Sequence, residues 1–160
     1  FIDINKKTLL TSTEEDLSSS FRDIGSMINI KDPFDLITGL IKDAEKISRL
    51  YDAAFQRLPD ANDLEYWIDR YRSDKNNERA VASSFLGFDE FIKKSGSDIS
   101  NEKYVQNLYQ NVLERAPDNS GMNYWVGQLT SGKETRDEVF LGFAESTENK
   151  AIFNELTGFA

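Results

Sequence analysis

From about the thirteenth residue onward the apolar positions recur at three- and four-residue steps, which predicts helices along almost the whole chain. Leu36, Ile37, Leu40, Ile41, Ala44, Ile47, Tyr51, Ala54 and Phe55 outline one long helix. It opens at Asp32-Pro33, an N-cap residue followed by Pro at the first helical position, and runs to about Arg57, weakened at Gly39. A cluster of cap-like residues at 11–16 predicts a shorter amphipathic helix over 15–24. The residues Phe1-Ile2-Asp3-Ile4-Asn5 alternate like a short strand instead. With Phe rather than Met at the first position, they read as the start of a fragment from a longer polypeptide.

One stripe occurs twice. Ile47, Leu50, Tyr51, Ala54 and Phe55 return as Val105, Leu108, Tyr109, Val112 and Leu113, in both cases at i, i+3, i+4, i+7 and i+8. A second stripe follows each: Leu64, Trp67, Ile68 and Tyr71, then Met122, Trp125, Val126 and Leu129. The offset is constant at 58, from Arg57 to Arg115 and from Trp67 to Trp125. Further on, Phe85-Leu86-Gly87-Phe88 matches Phe140-Leu141-Gly142-Phe143 at an offset of 55, which implies three fewer residues in the second copy, in the polar stretch after its second helix. Fixed-period self-similarity marks a supersecondary unit used twice, each copy covering the other's apolar face. The expectation is an all-α bundle of two related helical repeats, 47–95 and 96–160, preceded at 1–46 by a strand-like segment, linker and docking helices.

The two helices of each copy meet at a corner with a mechanical account. Pro59 and Pro117 force the preceding residue out of the α region and end the first helix, while Asp60 and Asp118 offer carboxylates to unpaired N–H groups of the next. Arg57 and Arg115 fall in the last turn of the first helix, where a cation favours the dipole's negative end and can also reach the corner carboxylate. Trp67 and Trp125 lie on the apolar stripes and are expected in the core.

Composition narrows the chemistry. A chain of 160 residues can bury a sizeable core, and with no Cys and no His it lacks the usual zinc, haem and iron–sulfur ligands, the Cys nucleophile and the imidazole base. No cofactor and no metal is expected. A formal charge of −9 argues against nucleic acid and anionic lipid surfaces, because binding to both rests on clustered Lys and Arg. No apolar run approaches the roughly 20 residues that span a bilayer, so membrane insertion is not expected either.

Three functional readings of particular residues remain. Asp60-Ala61-Asn62-Asp63 and Asp118-Asn119-Ser120 gather oxygen ligands on a turn as calcium loops do, but the fifth position is Leu64 or Met122 where an EF-hand needs an oxygen. Tyr66 and Tyr124 project about a hundred degrees from the neighbouring Trp on the helix and suggest half-buried platforms for a sugar ring. Carboxylate pairs such as Asp89-Glu90, Glu14-Glu15 and Asp137-Glu138 offer the two groups a glycosidase needs, yet 28 acidic residues make such pairs inevitable. Since G-x-S-x-G, P-loop and Rossmann patterns are absent, no catalytic residue is assigned.

The run from Tyr104 to Trp125, with Leu108-Tyr109, Arg115-Ala116-Pro117-Asp118-Asn119-Ser120-Gly121 and Tyr124-Trp125, followed by Phe143 to Glu148, resembles the bacterial domain-of-unknown-function family 4214. The resemblance extends over about 47–152 and departs from the pattern in the first copy, at Leu58 for Ala116 and Asp63 for Gly121. A weaker likeness to phycobilisome linker domains shares the Arg-x-Pro-Asp and Tyr-Trp positions. The resemblance implies a module of large secreted or surface proteins, including S-layer, adhesin-like and calcium-repeat toxins, and implies no catalytic residues. The expected function is therefore a non-catalytic interaction or assembly module at the bacterial surface. Its partner is expected to be a protein or a glycan, the glycan bound through Tyr66, Tyr124 and nearby carboxylates with or without calcium.

Overall fold

A computed structural model describes residues 33–96 and 98–159 of the chain. The described residues form eight α-helices and no strand: α1 (Pro33–Phe55), α2 (Ala61–Ser73), α3 (Glu78–Leu86), α4 (Asp89–Ser95), α5 (Asn101–Val112), α6 (Asn119–Thr130), α7 (Arg136–Ala144) and α8 (Thr147–Thr157). The protein is all-α. The strand-like stretch at residues 1–5 and the short helix expected over 15–24 lie outside the described residues.

The chain divides into two compact units, 1–43 and 44–160, with the boundary inside α1. Of the first, the described part is the opening turns of α1, where Phe34, Ile37 and Ile41 are exposed. The long apolar stripe expected over α1 is thus buried only from Ile47 onward. Gly39 does not interrupt the helix, which ends at Phe55, two residues earlier than the periodicity suggests, because Gln56 turns into the left-handed region at φ 51°. Glu114 makes the same turn at φ 53° after α5. Arg57 and Arg115 accordingly stand just beyond their helices rather than in the last turn.

The second unit holds the core. Ile47, Leu50, Phe55, Phe85, Val105, Val139, Phe140, Phe143 and Phe153 are almost wholly inaccessible, and each such side chain contributes roughly 1.5–3 kcal/mol through burial. An aromatic cluster occupies its first half: the Trp67 ring lies 4.7 Å from Phe85 at 80°, and Phe85 meets Tyr51 and Phe55 edge-on at 5.6 and 5.2 Å. In the second half Phe143 lies 4.9 Å from Tyr109 and 5.3 Å from Trp125. Helix α3 packs on α2 and α7, and α5 on α6 and α7. Ionic contacts bind the same neighbours: Arg79 on α3 pairs with Asp137 and Glu138 at the start of α7 at 2.7 and 2.8 Å, and the buried Arg49 of α1 donates to both carboxylate oxygens of Glu145, which closes α7.

The positions of the elements correct one expectation. Helices α2, α3 and α4 begin at 61, 78 and 89, and α6, α7 and α8 at 119, 136 and 147, so the offset of 58 continues beyond the Trp. Phe85 therefore corresponds in place to Phe143, not to Phe140, as their contacts with Trp67 and Trp125 also indicate. The matching Phe-Leu-Gly-Phe strings at an offset of 55 are out of register with the helices. No three-residue shortening exists: four residues link α2 to α3 and five link α6 to α7.

The two Trp residues differ in burial. Trp67 is 5% exposed, whereas Trp125 is only partly buried, resting in a groove above Gly142, where a Cβ would stand 2.7 Å from its ring. Trp67→Ala should cost about 3–5 kcal/mol and Trp125→Ala measurably less, as read from urea unfolding of each variant. Gly121 has a comparable role, since a Cβ there would run into the hydroxyl of the buried Tyr109. Gly121→Ala should destabilise by about 1–3 kcal/mol through overpacking, and Tyr109→Phe in the same chain should return part of that loss.

Candidate functional site

Each helix corner is built around its guanidinium. Arg57 donates through Nε and Nη2 to the two carboxylate oxygens of Glu90 on α4, both at 3.0 Å, and its plane covers the Tyr51 ring at 4.9 Å. Arg115 repeats this arrangement with Glu148 on α8, at 2.6 and 3.0 Å, and with the Tyr109 ring at 4.9 Å. Planar fork geometry makes such paired bonds the stronger kind of ion pair. The hydrogen bonds from each guanidinium hold Glu90 and Glu148 below the usual carboxylate range. The partners are 33 residues away in both cases, and sequence reasoning had offered only the corner carboxylates. As a secondary contact Arg115 does reach its corner carboxylate, Asp118, at 3.7 Å, whereas Arg57 lies 3.8 Å from Asp63, three residues beyond Asp60. The one available signal was that Glu90 and Glu148 are themselves 58 apart.

Asp60 and Asp118 are helix caps. Each accepts the backbone N–H three residues on, from Asp63 and Gly121, at 2.8 Å. Asp118 also accepts the Ser120 hydroxyl at 2.6 Å, and that bond, with the one from Gly121, lowers its carboxyl. The described residues contain no group of three acidic side chains placed to hold a metal ion. Pro59 and Pro117 precede the caps, but the helices before them end earlier, at Phe55 and Val112, so the left-handed Gln56 and Glu114, not the prolines, mark where the chain leaves the helix. Tyr66 and Tyr124 are 56% and 53% exposed, more open than half-buried platforms, and each stands edge-on to its neighbouring Trp at 5.1 and 4.9 Å.

On the first corner these residues enclose an open depression of about 550 Å³. Tyr66, Phe88 and the rim carboxylates Asp63, Asp89 and Glu90 surround a floor that includes Trp67. The sequence reading missed Phe88, whose ring is 44% exposed and lies 5.8 Å from Trp67 and 6.1 Å from Phe55. Asp63 accepts the Tyr51 hydroxyl at 2.6 Å, and burial together with this bond pushes that phenol up to about 12. The site thus offers ring faces beside carboxylate acceptors, with Arg57 and Lys94 paired to Glu90 next to them.

The other acidic pairs have separate employment. Asp137 accepts from Arg79 and from the Thr135 hydroxyl, and Glu138 closes a capping box with Thr135. Glu14-Glu15 lies outside the described residues. A smaller cavity of about 250 Å³ brings Asp52 together with Glu114, a pair that sequence reasoning did not single out, and burial, then the Glu114 charge, raises the Asp52 carboxyl.

The lowered pKa values of Glu90 and Glu148 define a pH effect with a definite sign. A carboxyl whose folded value is depressed stabilises the fold above its unfolded pKa, about 4.3 for Glu, and that contribution is lost as pH falls through the folded value. Solvent screening keeps the Arg57–Glu90 pair to roughly 0.5–1 kcal/mol. The Glu90→Gln/Glu148→Gln variant should melt below the wild type at pH 7, and the gap should close as pH falls from about 4.5 toward 3. A gap of constant size in thermal scans would contradict the assignment.

No helix among the described residues is long and apolar enough to cross a membrane. Comparison of the chain with curated proteins and with solved structures gives no match. A family model matches residues 82–153, a narrower span than the 47–152 of the resemblance, reaching from α3 into α8. Of the depression it includes Phe88, Asp89 and Glu90 but not Tyr66 or Trp67. Over residues 82–153 the chain matches the model of the family described as Domain of unknown function (DUF4214).

Proposed function

We propose that this chain is a non-catalytic interaction module of a larger bacterial secreted or cell-surface protein, and that it binds its partner through the first corner. The observation that carries this reading is the pair of exposed rings, Tyr66 and Phe88, over a depression of about 550 Å³. A folded chain stabilises itself by burying such rings, so rings held open beside polar groups favour a contact surface. The carboxylates around them support the same reading, because Glu90 and Asp63 are already committed to Arg57 and Tyr51. The second corner has an exposed Tyr124 but Ser146 in the place of Phe88, so binding rests on the first. Assembly, adhesion and attachment to an S-layer or matrix are the forms such a contact takes in a surface protein.

The labelled chain should be retained saturably on isolated bacterial cell envelopes, and Tyr66→Ala/Phe88→Ser should reduce that retention at least tenfold. Absence of saturable retention, or equal retention of the variant, would contradict the reading. A carboxylate-based hydrolase draws support from the Asp52–Glu114 cavity alone. Turnover of chromogenic glycosides that disappears in Asp52→Asn would favour it; none is expected.

A further inference from the structure

The two corners differ where the depression lies. Counting 58 residues on, Leu58 becomes Ala116, Asp63 becomes Gly121 and Phe88 becomes Ser146. Ser146 is an ordinary N-cap: it accepts the Asn149 N–H at 3.1 Å and donates to the Phe143 carbonyl at 2.7 Å. Phe88 holds the same position at the start of α4 and makes no cap hydrogen bond. A missing cap costs about 1 kcal/mol, and the ring that replaces it remains nearly half exposed. Packing against Phe55 and Trp67 offsets part of that cost, and the open part of the ring, at a position where the other half keeps a cap, marks a candidate functional site.

We propose that the depression binds a sugar ring of a surface glycan, which deepens the interaction reading above and rests on it. The C–H face of a pyranose would lie on Phe88 and Tyr66, and its hydroxyls would donate to the carboxylates Asp63, Asp89 and Glu90. Three features select this ligand over others. A volume of about 550 Å³ is within the range of small-ligand sites. The carboxylates Asp63, Asp89 and Glu90 line the depression and outnumber the cations Arg57 and Lys94 beside them, which disfavours an anionic ligand. A purely apolar side chain would strip water from that rim without replacing its hydrogen bonds, whereas vicinal hydroxyls both donate and accept and so replace them. The second corner, with Gly121 and Ser146, offers neither the extra carboxylate nor the second ring.

The test is an array of bacterial and host glycans probed with the labelled full chain and three variants. Phe88→Ser supplies the capping residue found at 146 and so keeps the fold, which a thermal midpoint verifies. Binding to one or more glycans, reduced at least tenfold by Phe88→Ser and by Tyr66→Ala and unchanged by Tyr124→Ala, is expected. A blank array, or binding equal in all variants, overturns the sugar ligand. If envelope retention then persists, on untreated and on periodate-oxidised envelopes alike, the contact face stands with a protein partner. If retention is absent as well, the face itself is wrong.

Discussion

The geometry of each helix corner is arranged around one fixed guanidinium. Past α1 the chain must reverse, and it does so by placing Gln56 in the left-handed region, which a non-glycine residue adopts only at some cost. Arg57 then covers the ring of Tyr51 behind it and joins Glu90 on α4 in front of it, and Lys94, also on α4, donates to the Phe55 carbonyl that α1 leaves unpaired. One cation thereby ties the end of α1 to α4, with a second cation completing the helix end. Arg115 repeats the first part of this arrangement through Tyr109 and Glu148.

That scaffold accounts for where the halves can differ. The Arg, the capping Asp and the Glu are the same residues 58 apart, and the left-handed turn repeats in conformation with Gln56 in one half and Glu114 in the other. Among the many positions that differ, Asp63 and Phe88 line the depression beside the Arg. Gly121 admits the Tyr109 hydroxyl close to the backbone, whereas Asp63 meets the Tyr51 hydroxyl as an acceptor and leaves its carboxylate at the rim of a depression. Phe88 in place of a capping serine adds a ring at the same spot. One corner is thus a structural joint, and the other is the same joint with a surface added.

Much of the fold was legible because local physics wrote it. The helical periods, the capping Asp residues and the buried Trp67 follow from three- and four-residue spacing and from what Asp does to backbone groups. The partners of Arg57 and Arg115 were not legible, since a charged side chain carries no local mark of a carboxylate 33 residues away. The repeated Phe-Leu-Gly-Phe string misled, because identity of letters outweighed the period set by the helices, and only the contacts of Phe85 and Phe143 with the Trp rings restore the register. Phe88 was overlooked for a related reason: within that string it resembled a core residue, although it occupies a cap.

The most direct measurement is an amide chemical-shift titration of the labelled chain with glycans released from bacterial envelopes. The account predicts saturable shifts gathered at residues 63–67 and 87–90, with little change at residues 119–125. Shifts of equal size at both corners, or shifts confined to the second, would contradict it.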